Sequence, residues 1–150
     1  MKQLQTIVKE FLDAQDWFYQ EKSGQIDFPI EVEDYRLFCS FHIFEENQQV
    51  VFYSLFPIKI PKNKTIAAII LLNQLNNDII VGNFELDTEG NVRCRTSIDV
   101  EKTTLNHELL ENMLLANFNV LVESYPQLIA LLSKKDRKRK PVTNPEQPTT

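Results

Sequence analysis

Glycines, histidines, cysteines and long apolar runs are all scarce in this sequence, and each scarcity argues against a class of protein. The 150 residues include three glycines, two histidines and two cysteines. Three scattered glycines cannot build the loops that bind nucleotide phosphates or dinucleotides. Two histidines, and no serine in a nucleophile-elbow context, give no support for a Ser-His or Cys-His nucleophile. We therefore expect no catalytic residue and no cofactor.

The apolar runs and the cysteines predict where the protein works. The most apolar run, residues 66–72, is too short to cross a bilayer, which needs about 20 residues. The first residues begin an amphipathic segment rather than a signal peptide. Cys39 and Cys94 fall at apolar strand positions, as buried thiols do, and whether either senses redox state stays open. We expect a cytoplasmic protein without a membrane partner.

Charge divides the chain into two parts. Residues 1–133 hold 10 Lys and Arg against 19 Asp and Glu, a net charge of −9, whereas residues 134–150 carry a net charge of +4. A body this acidic binds nucleic acid poorly by itself. We expect one domain over residues 1–133, followed by a basic and then Pro/Thr-rich disordered tail.

The basic run from Lys134 to Lys140 has three interpretations. The simplest is a solvated tail whose first lysines favour the C-terminal end of the preceding helix. The second is an electrostatic tether to an acidic surface or, weakly, to nucleic acid. The third, a nuclear signal, needs a compartment that nothing else in the sequence indicates.

Apolar periodicity predicts three helices and about five strands. Helical spacing indicates helices over about residues 3–15 and 64–77, and a third from a cap at Thr103 and Thr104, with a kink or a new start at Pro126. Alternating patterns predict strands between them. The order α-β-β-β-α-β-β-α, with strands joined by hairpins, predicts an α+β fold with an antiparallel sheet.

The clearest local signal is a hairpin over residues 84–100. Its apolar faces coincide if Leu86 lies opposite Val92 and Phe84 opposite Cys94, which leaves a three-residue loop ending at Gly90. The same register places Glu85 beside Arg93 and Arg95. We interpret these charges as a solvated sheet face rather than a catalytic pair.

The second predicted helix has no polar face over residues 66–72, which is typical of a helix buried on more than one side. In a domain of this size the second cover could be another subunit. The candidate dimer contacts are Ile66, Ile69, Ile70, Leu72 and Leu75.

Two groups of residues on the strands are candidates for binding. Phe38, His42, Phe44 and Tyr53 could form one aromatic sheet face. Since apolar residues are mostly core, we expect a helix to cover them; left uncovered, they would bind a peptide. Cys39 and His42 resemble half of a zinc site, but strand residues three apart point to opposite faces, so we expect no metal site.

Four short segments, in order, resemble the YbjN family of bacterial sensory transduction regulators, over about residues 3–133. They are Val51-Phe-Tyr-Ser54, Gly82-Asn-Phe-Glu-Leu-Asp87 with Gly90, Ile98-Asp-Val-Glu101, and Tyr125-Pro-Gln-Leu128. The Asn-Phe-Glu-Leu-Asp variant is similar to the cyanobacterial branch. The resemblance implies a fold like that of type III secretion chaperones, often dimeric, and brings no catalytic residues.

The leading hypothesis is a non-enzymatic module for signalling or stress regulation that presents an apolar groove or strand edge to a protein or peptide partner, as a homodimer. The alternative is a small enzyme or ligand-binding domain. That alternative requires a concave site with convergent polar groups.

Overall fold

The computed structural model describes residues 2–133, and the structural statements below concern those residues; the tail predictions for 134–150 lie outside them. Three helices and six strands are present. In chain order they are α1 (Leu4–Ala14), β1 (Gln20–Lys22), β2 (Gln25–Val32), β3 (Tyr35–Phe44), β4 (Gln49–Leu55), α2 (Thr65–Asp78), β5 (Asn83–Leu86), β6 (Val92–Asp99) and α3 (His107–Ser133), with a 3-10 turn at Lys62–Lys64 before α2.

All six strands form one antiparallel sheet in the order β1-β2-β3-β4-β6-β5. The α+β class and the antiparallel sheet are confirmed. The predicted order lacks one strand, β1, which pairs with three residues of β2. Every residue of β1 is exposed, so it has no apolar alternation by which a sequence could reveal it.

The β5–β6 hairpin has the predicted register, with Leu86 opposite Val92 and Phe84 opposite Cys94. The Asp87 N–H donates to the Asn91 carbonyl at 3.0 Å and closes the three-residue loop. Gly90 has a φ of +90°. A Cβ at this position would lie 2.6 Å from the carbonyl oxygen of Ile60, so both the backbone conformation and the space require glycine.

One broad side of the sheet, here called the covered face, carries the core. Helix α3 packs on β4 and β6, and α1 packs against α3. The rings of Phe28 and Phe52 lie 6.0 Å apart, and Phe118 of α3 packs edge-on against Phe52. The opposite side, the open face, carries no helix from residues 2–133, since α2 packs beside β5.

A buried polar network fixes α3 to the covered face. The side chain of Asn117 is fully buried and its Nδ2 donates to the Cys94 carbonyl at 2.9 Å, while its Oδ1 accepts a hydrogen bond from the Ser54 hydroxyl. The Thr96 hydroxyl donates to the carbonyl of Met113 at 3.2 Å. Each of these bonds joins α3 to β4 or β6, so they set the position of the helix along the strands.

The caps of α1 and α3 are formed by residues that the sequence pattern did not predict. The carboxylate of Glu45 accepts hydrogen bonds from the N–H groups of Leu4 and Gln5 at 3.0 and 2.8 Å, so a remote turn caps α1. The side chain of Asn106 accepts from the N–H of Leu109 at 2.8 Å. The predicted cap at Thr103 and Thr104 is thus wrong, because Thr103 belongs to a turn with Val100. Helix α3 continues through Pro126.

Candidate functional site

The open face brings together all four residues predicted as a partner-binding face. Phe38 is 63% exposed and Phe44 is 47% exposed, while His42 on the same strand and Tyr53 on β4 are half-buried. The prediction that a helix covers these side chains is wrong, because both α1 and α3 lie on the opposite side of the sheet. Alternate residues of β5 and β6 complete the open face with Glu85, Arg93 and Arg95.

Tyr53 lies at the centre of the open face. The guanidinium of Arg93 stacks 4.5 Å from the centre of the Tyr53 ring, and that of Arg95 lies 5.8 Å away. The imidazole of His42 contacts the same ring edge-on, with 5.1 Å between ring centres. Two cations over one aromatic ring make a positively charged, aromatic surface.

Glu85 holds both arginines. Its carboxylate accepts from Arg93 Nε at 2.7 Å and from Arg95 Nη1 at 3.2 Å. Partial burial raises the pKa of Glu85, but the hydrogen bonds and charges of Arg95 and Arg93 outweigh burial and bring the pKa below its ordinary value. The predicted contacts of Glu85 are confirmed. Both guanidinium groups therefore share this one carboxylate within 4.0 Å.

His42 adds no charge to this cluster at neutral pH. Partial burial lowers its pKa and the charge of Arg93 lowers it further, while Asp27 opposes these effects. Asp27 lies toward the other margin of the open face, where it accepts from the Ser40 hydroxyl at 2.6 Å and the Gln25 amide at 2.9 Å and pairs with Lys22. Asp87 adds a second carboxylate near Arg93, so the formal charges of Arg93, Arg95, Glu85 and Asp87 cancel, and the surface is positive only at the guanidinium groups themselves.

An apolar row crosses the open face and ends at the arginines. Pro29 lies opposite Phe38 on the neighbouring strand, Phe38 lies opposite Leu55, and Leu55 lies opposite Arg93. Cross-strand partners have Cβ atoms about 5 Å apart, so these side chains form a continuous strip. The open face thus offers apolar contact along the strip and positive charge at its end.

The edges of the sheet are poor sites for adding a strand, which was one of the predicted binding modes. At the β5 edge, the side chain of Asn76 accepts from the Phe84 N–H at 2.7 Å and donates to the Phe84 carbonyl at 3.1 Å, as a neighbouring strand would. At the other edge β1 covers β2 only as far as Asp27, and Pro29 beyond it has no N–H to donate.

The predicted dimer contacts on α2 divide into two groups. Ile66, Ile69 and Ile70 point to solvent, and Ile66 is 75% exposed; we call these three residues the α2 face. Leu72 lies in the core and Leu75 packs partly against it, so neither belongs to the α2 face. In the single chain, α2 is covered on one side, by β5 and α3. Ile80, 98% exposed just after the helix, is an apolar side chain that the sequence interpretation missed.

The two cysteines are buried thiols whose surroundings oppose ionisation. Burial raises the pKa of the Cys94 thiol to about 12 and also raises that of Cys39, which opposes thiolate chemistry. Cys39 is on the covered face and His42 on the open face, as predicted. Within residues 2–133 no group of three His, Cys, Asp or Glu side chains could hold a metal ion.

A cavity of about 480 Å³ lies between α1 and the turn before α3. Apolar side chains such as Leu4 and Leu105 form part of its walls, and polar ones, among them His107, form the rest. The charged side chains at its rim, Lys2 and Glu10, pair with each other at 3.0 Å.

Comparisons with known proteins agree with this geometry. Residues 5–129 match a family model, YbjN, described as "Putative bacterial sensory transduction regulator". No curated protein is similar enough in sequence to be matched to this chain. None of the helices in residues 2–133 is long and apolar enough to span a membrane.

Solved structures show the same fold at low sequence identity. The crystal structure of YbjN from E. coli matches with a TM-score of 0.64 and 12% identity, covering 85% of this chain and 94% of that one. A chain of the ExsC–ExsE complex matches with a TM-score of 0.55 and 10% identity, covering 85% and 97%. A chain of the HopA1–SchA chaperone–effector complex matches with a TM-score of 0.52 and 16% identity, covering 79% and 90%.

Proposed function

This chain belongs to the YbjN family, and from that premise we propose that it is a non-enzymatic regulatory module, which binds another protein on the open face and pairs with a second copy through the α2 face. The observation that carries the proposal is the uncovered open face. Phe38 and Phe44 are exposed on the same side of β3, about 20 Å apart, and Tyr53 of the neighbouring strand lies between their levels, opposite Ser40. Exposed aromatic residues spread along one uncovered sheet face are typical of a surface that binds another protein.

The fold neighbours support a protein partner. Two of the similar structures are complexes, one of ExsC with ExsE and one of the chaperone and effector SchA and HopA1. A chain with this fold therefore occurs in complexes with a second protein.

The α2 face suits a second copy of the chain. Residues 65–77 include no charged side chain, on a body whose net charge over residues 1–133 is −9. Two such bodies repel each other, and the repulsion is smallest where the contact surface has no charge. A groove of about 430 Å³ between α2 and α3, lined by residues such as Ile70 and Leu131, gives an apolar side chain of the second copy a place to pack.

Site-specific photo-cross-linking in the native host tests both parts. We expect a benzoylphenylalanine at position 38 to give an adduct with a different protein, and one at position 69 to give an adduct of two copies of this chain. Leu115, an exposed leucine on α3, is the matched control position and should give neither adduct.

Each part can fail separately. A purified wild-type chain that sediments as a monomer at tens of micromolar would refute the dimer, and an Ile69→Asp variant that stays dimeric would refute the α2 face as its contact. Adducts at position 115 as abundant as those at position 38 would refute the open face as the partner site.

A further inference from the structure

We propose that the segment bound on the open face is an acidic segment of a protein partner, with a carboxylate on Arg95 and apolar side chains along Pro29, Phe38 and Leu55. This inference rests on the function proposed above and names the chemistry of the partner. It is carried by the arrangement of charge and apolar surface on the open face.

The carboxylates of the open face are distributed unequally between the two arginines. Glu85 is, among residues 2–133, the one carboxylate within 4.0 Å of a nitrogen of Arg93 or Arg95. Asp87 also interacts with the charge of Arg93. Arg95 therefore has only a shared carboxylate on a half-covered surface, where a carboxylate from outside would interact more strongly than in open water.

Arg95 is the arginine that can receive a carboxylate. Arg93 is fixed, because its Nε bonds Glu85 at 2.7 Å and its guanidinium stacks at 4.5 Å on Tyr53. Arg95 has a longer bond to Glu85, at 3.2 Å from Nη1, and lies farther from the ring at 5.8 Å. A guanidinium has five N–H donors, so most donors of Arg95 stay available to a ligand.

The apolar row defines what must accompany the carboxylate. Pro29, Phe38 and Leu55 lie side by side on three strands, and the next position of the row is Arg93. A segment that crosses the strands along this row would bury apolar side chains on Phe38 and Leu55. Arg95 lies beside the end of the row, two residues along β6 from Arg93, where it would meet an acidic side chain near the end of the segment. The open face therefore fits a segment with mixed apolar and acidic side chains.

Single-stranded nucleic acid would use the same aromatic and basic groups, but the rest of the molecule disfavours it. Binding of a nucleic acid depends on neutralising several successive phosphates. The open face carries acidic side chains beside its arginines, among them Glu85 and Asp99, and the body around it carries a net charge of −9. A peptide with one or two carboxylates is attracted to Arg95 without bringing a long row of negative charge.

The test is selection of peptides from a randomised display library on the purified full chain, followed by titration of the selected peptides. Peptides that bind the wild type but not the Phe38→Asp variant are the ones that use the open face. On the open face, we expect peptides rich in Asp and Glu together with aromatic or aliphatic residues. Arg95→Gln should weaken the binding of these peptides roughly tenfold, because one charge-assisted contact is lost.

A matched pair of variants separates binding from structure. Glu85→Gln frees both guanidinium groups and should strengthen the binding of acidic peptides, the opposite of Arg95→Gln. Lys102→Gln removes a cation outside the open face and should leave the binding unchanged. If Glu85→Gln and Arg95→Gln both weaken binding, the charges serve the fold and the inference is wrong. A short single-stranded oligothymidylate that displaces the peptides would overturn it in favour of nucleic acid.

The two proposals fail differently. Neutral or basic peptides that bind the wild type but not Phe38→Asp would overturn the acidic partner and leave a protein-binding open face standing. Peptides that bind Phe38→Asp as well as the wild type, together with no specific adduct at position 38, would overturn the proposed function itself.

Discussion

The two faces of the sheet are built from alternate residues of the same strands, and both contain polar groups, but those groups are used differently. On the covered face, Ser54, Thr96 and Asn117 are buried and bond one another or the backbone of α3 and β6. On the open face, Glu85 and Arg95 are partly exposed, and Arg95 keeps donors that no residue in 2–133 uses. Polar groups on the covered face are complete within the fold, whereas those on the open face are available to a partner.

This difference separates stability from recognition. Within residues 2–133 no buried side-chain nitrogen or oxygen lacks a hydrogen-bond partner. A buried polar group that is fully bonded positions elements and costs much to disturb, because its partners are then left unsatisfied. A half-exposed group can exchange its contacts for water, so it costs little to change. Substitutions on the two faces should therefore have opposite effects on folding and binding.

Adjacent residues of β4 give the largest expected contrast. Phe52 is fully buried on the covered face and contacts Phe28, Phe41 and Phe118, while Tyr53 lies on the open face. We expect Phe52→Ala to lower the free energy of unfolding by about 3–5 kcal/mol, through lost burial and a cavity. Tyr53→Ala should lower it by roughly 1 kcal/mol, typical of a substitution away from the core, and abolish the cluster that holds Arg93.

Urea unfolding of both variants measures this contrast, and cross-linking at position 38 measures recognition. Phe52→Ala should retain the adduct in the fraction that folds. If Tyr53→Ala destabilises the protein as much as Phe52→Ala, then the open face is covered in solution and the contrast between the faces disappears.

The next effect concerns the buried polar network. Asn117→Leu removes the partner of the Ser54 hydroxyl and of the Cys94 carbonyl, so we expect a loss of about 1–3 kcal/mol in the free energy of unfolding. Ser54→Ala alone should also destabilise. The double variant should lose less than the sum, because the two residues form one unit, with a coupling of roughly 0.5–3 kcal/mol.

Strictly additive losses in this double-mutant cycle would show that Asn117 and Ser54 act independently. The network would then not position α3 on the sheet. A matched control is Asn119→Leu, an exposed asparagine of the same helix, which should change stability by less than about 0.5 kcal/mol.

The parts of the fold that sequence could predict are local. The β5–β6 register follows from alternation and a three-residue loop, so Leu86, Val92 and Gly90 were placed correctly, and with them the pairing of Glu85 and Arg93. Helix α2 was predicted within one residue of its observed bounds. In each case the interacting residues lie within a short segment whose pattern has few alternative interpretations.

What could not be predicted depends on contacts between distant segments. Tyr53 meets Arg93 and Arg95 only because β4 pairs with β6, and α2 and β5 intervene in the sequence. Whether the open face is covered depends on the side of the sheet on which α1 and α3 pack. The alternation of apolar residues in β3 does not indicate which side that is. For the same reason the sequence did not reveal that Glu45, about 40 positions away, caps α1.

The smallest expected effect on stability is at the charge cluster of the open face. Glu85→Gln should lower the free energy of unfolding by less than about 1 kcal/mol, since partly exposed ion pairs contribute little. The lowered pKa of Glu85 in the folded protein determines how this contribution to stability changes with pH. Glu85 stabilises the folded protein fully at a pH above its pKa in the unfolded chain. This stabilisation is lost as the pH falls through the lower pKa of Glu85 in the folded protein.

Stability measured against pH in the wild type and Glu85→Gln checks this expectation. The two curves should be separated by a small constant amount at neutral pH and should converge below about pH 4, the ordinary range of a glutamate. A difference as large as that of Asn117→Leu would make Glu85 a structural residue of the same kind. Its arginines would then be components of the fold, and the division between the two faces would no longer follow from which side of the strand a polar residue occupies.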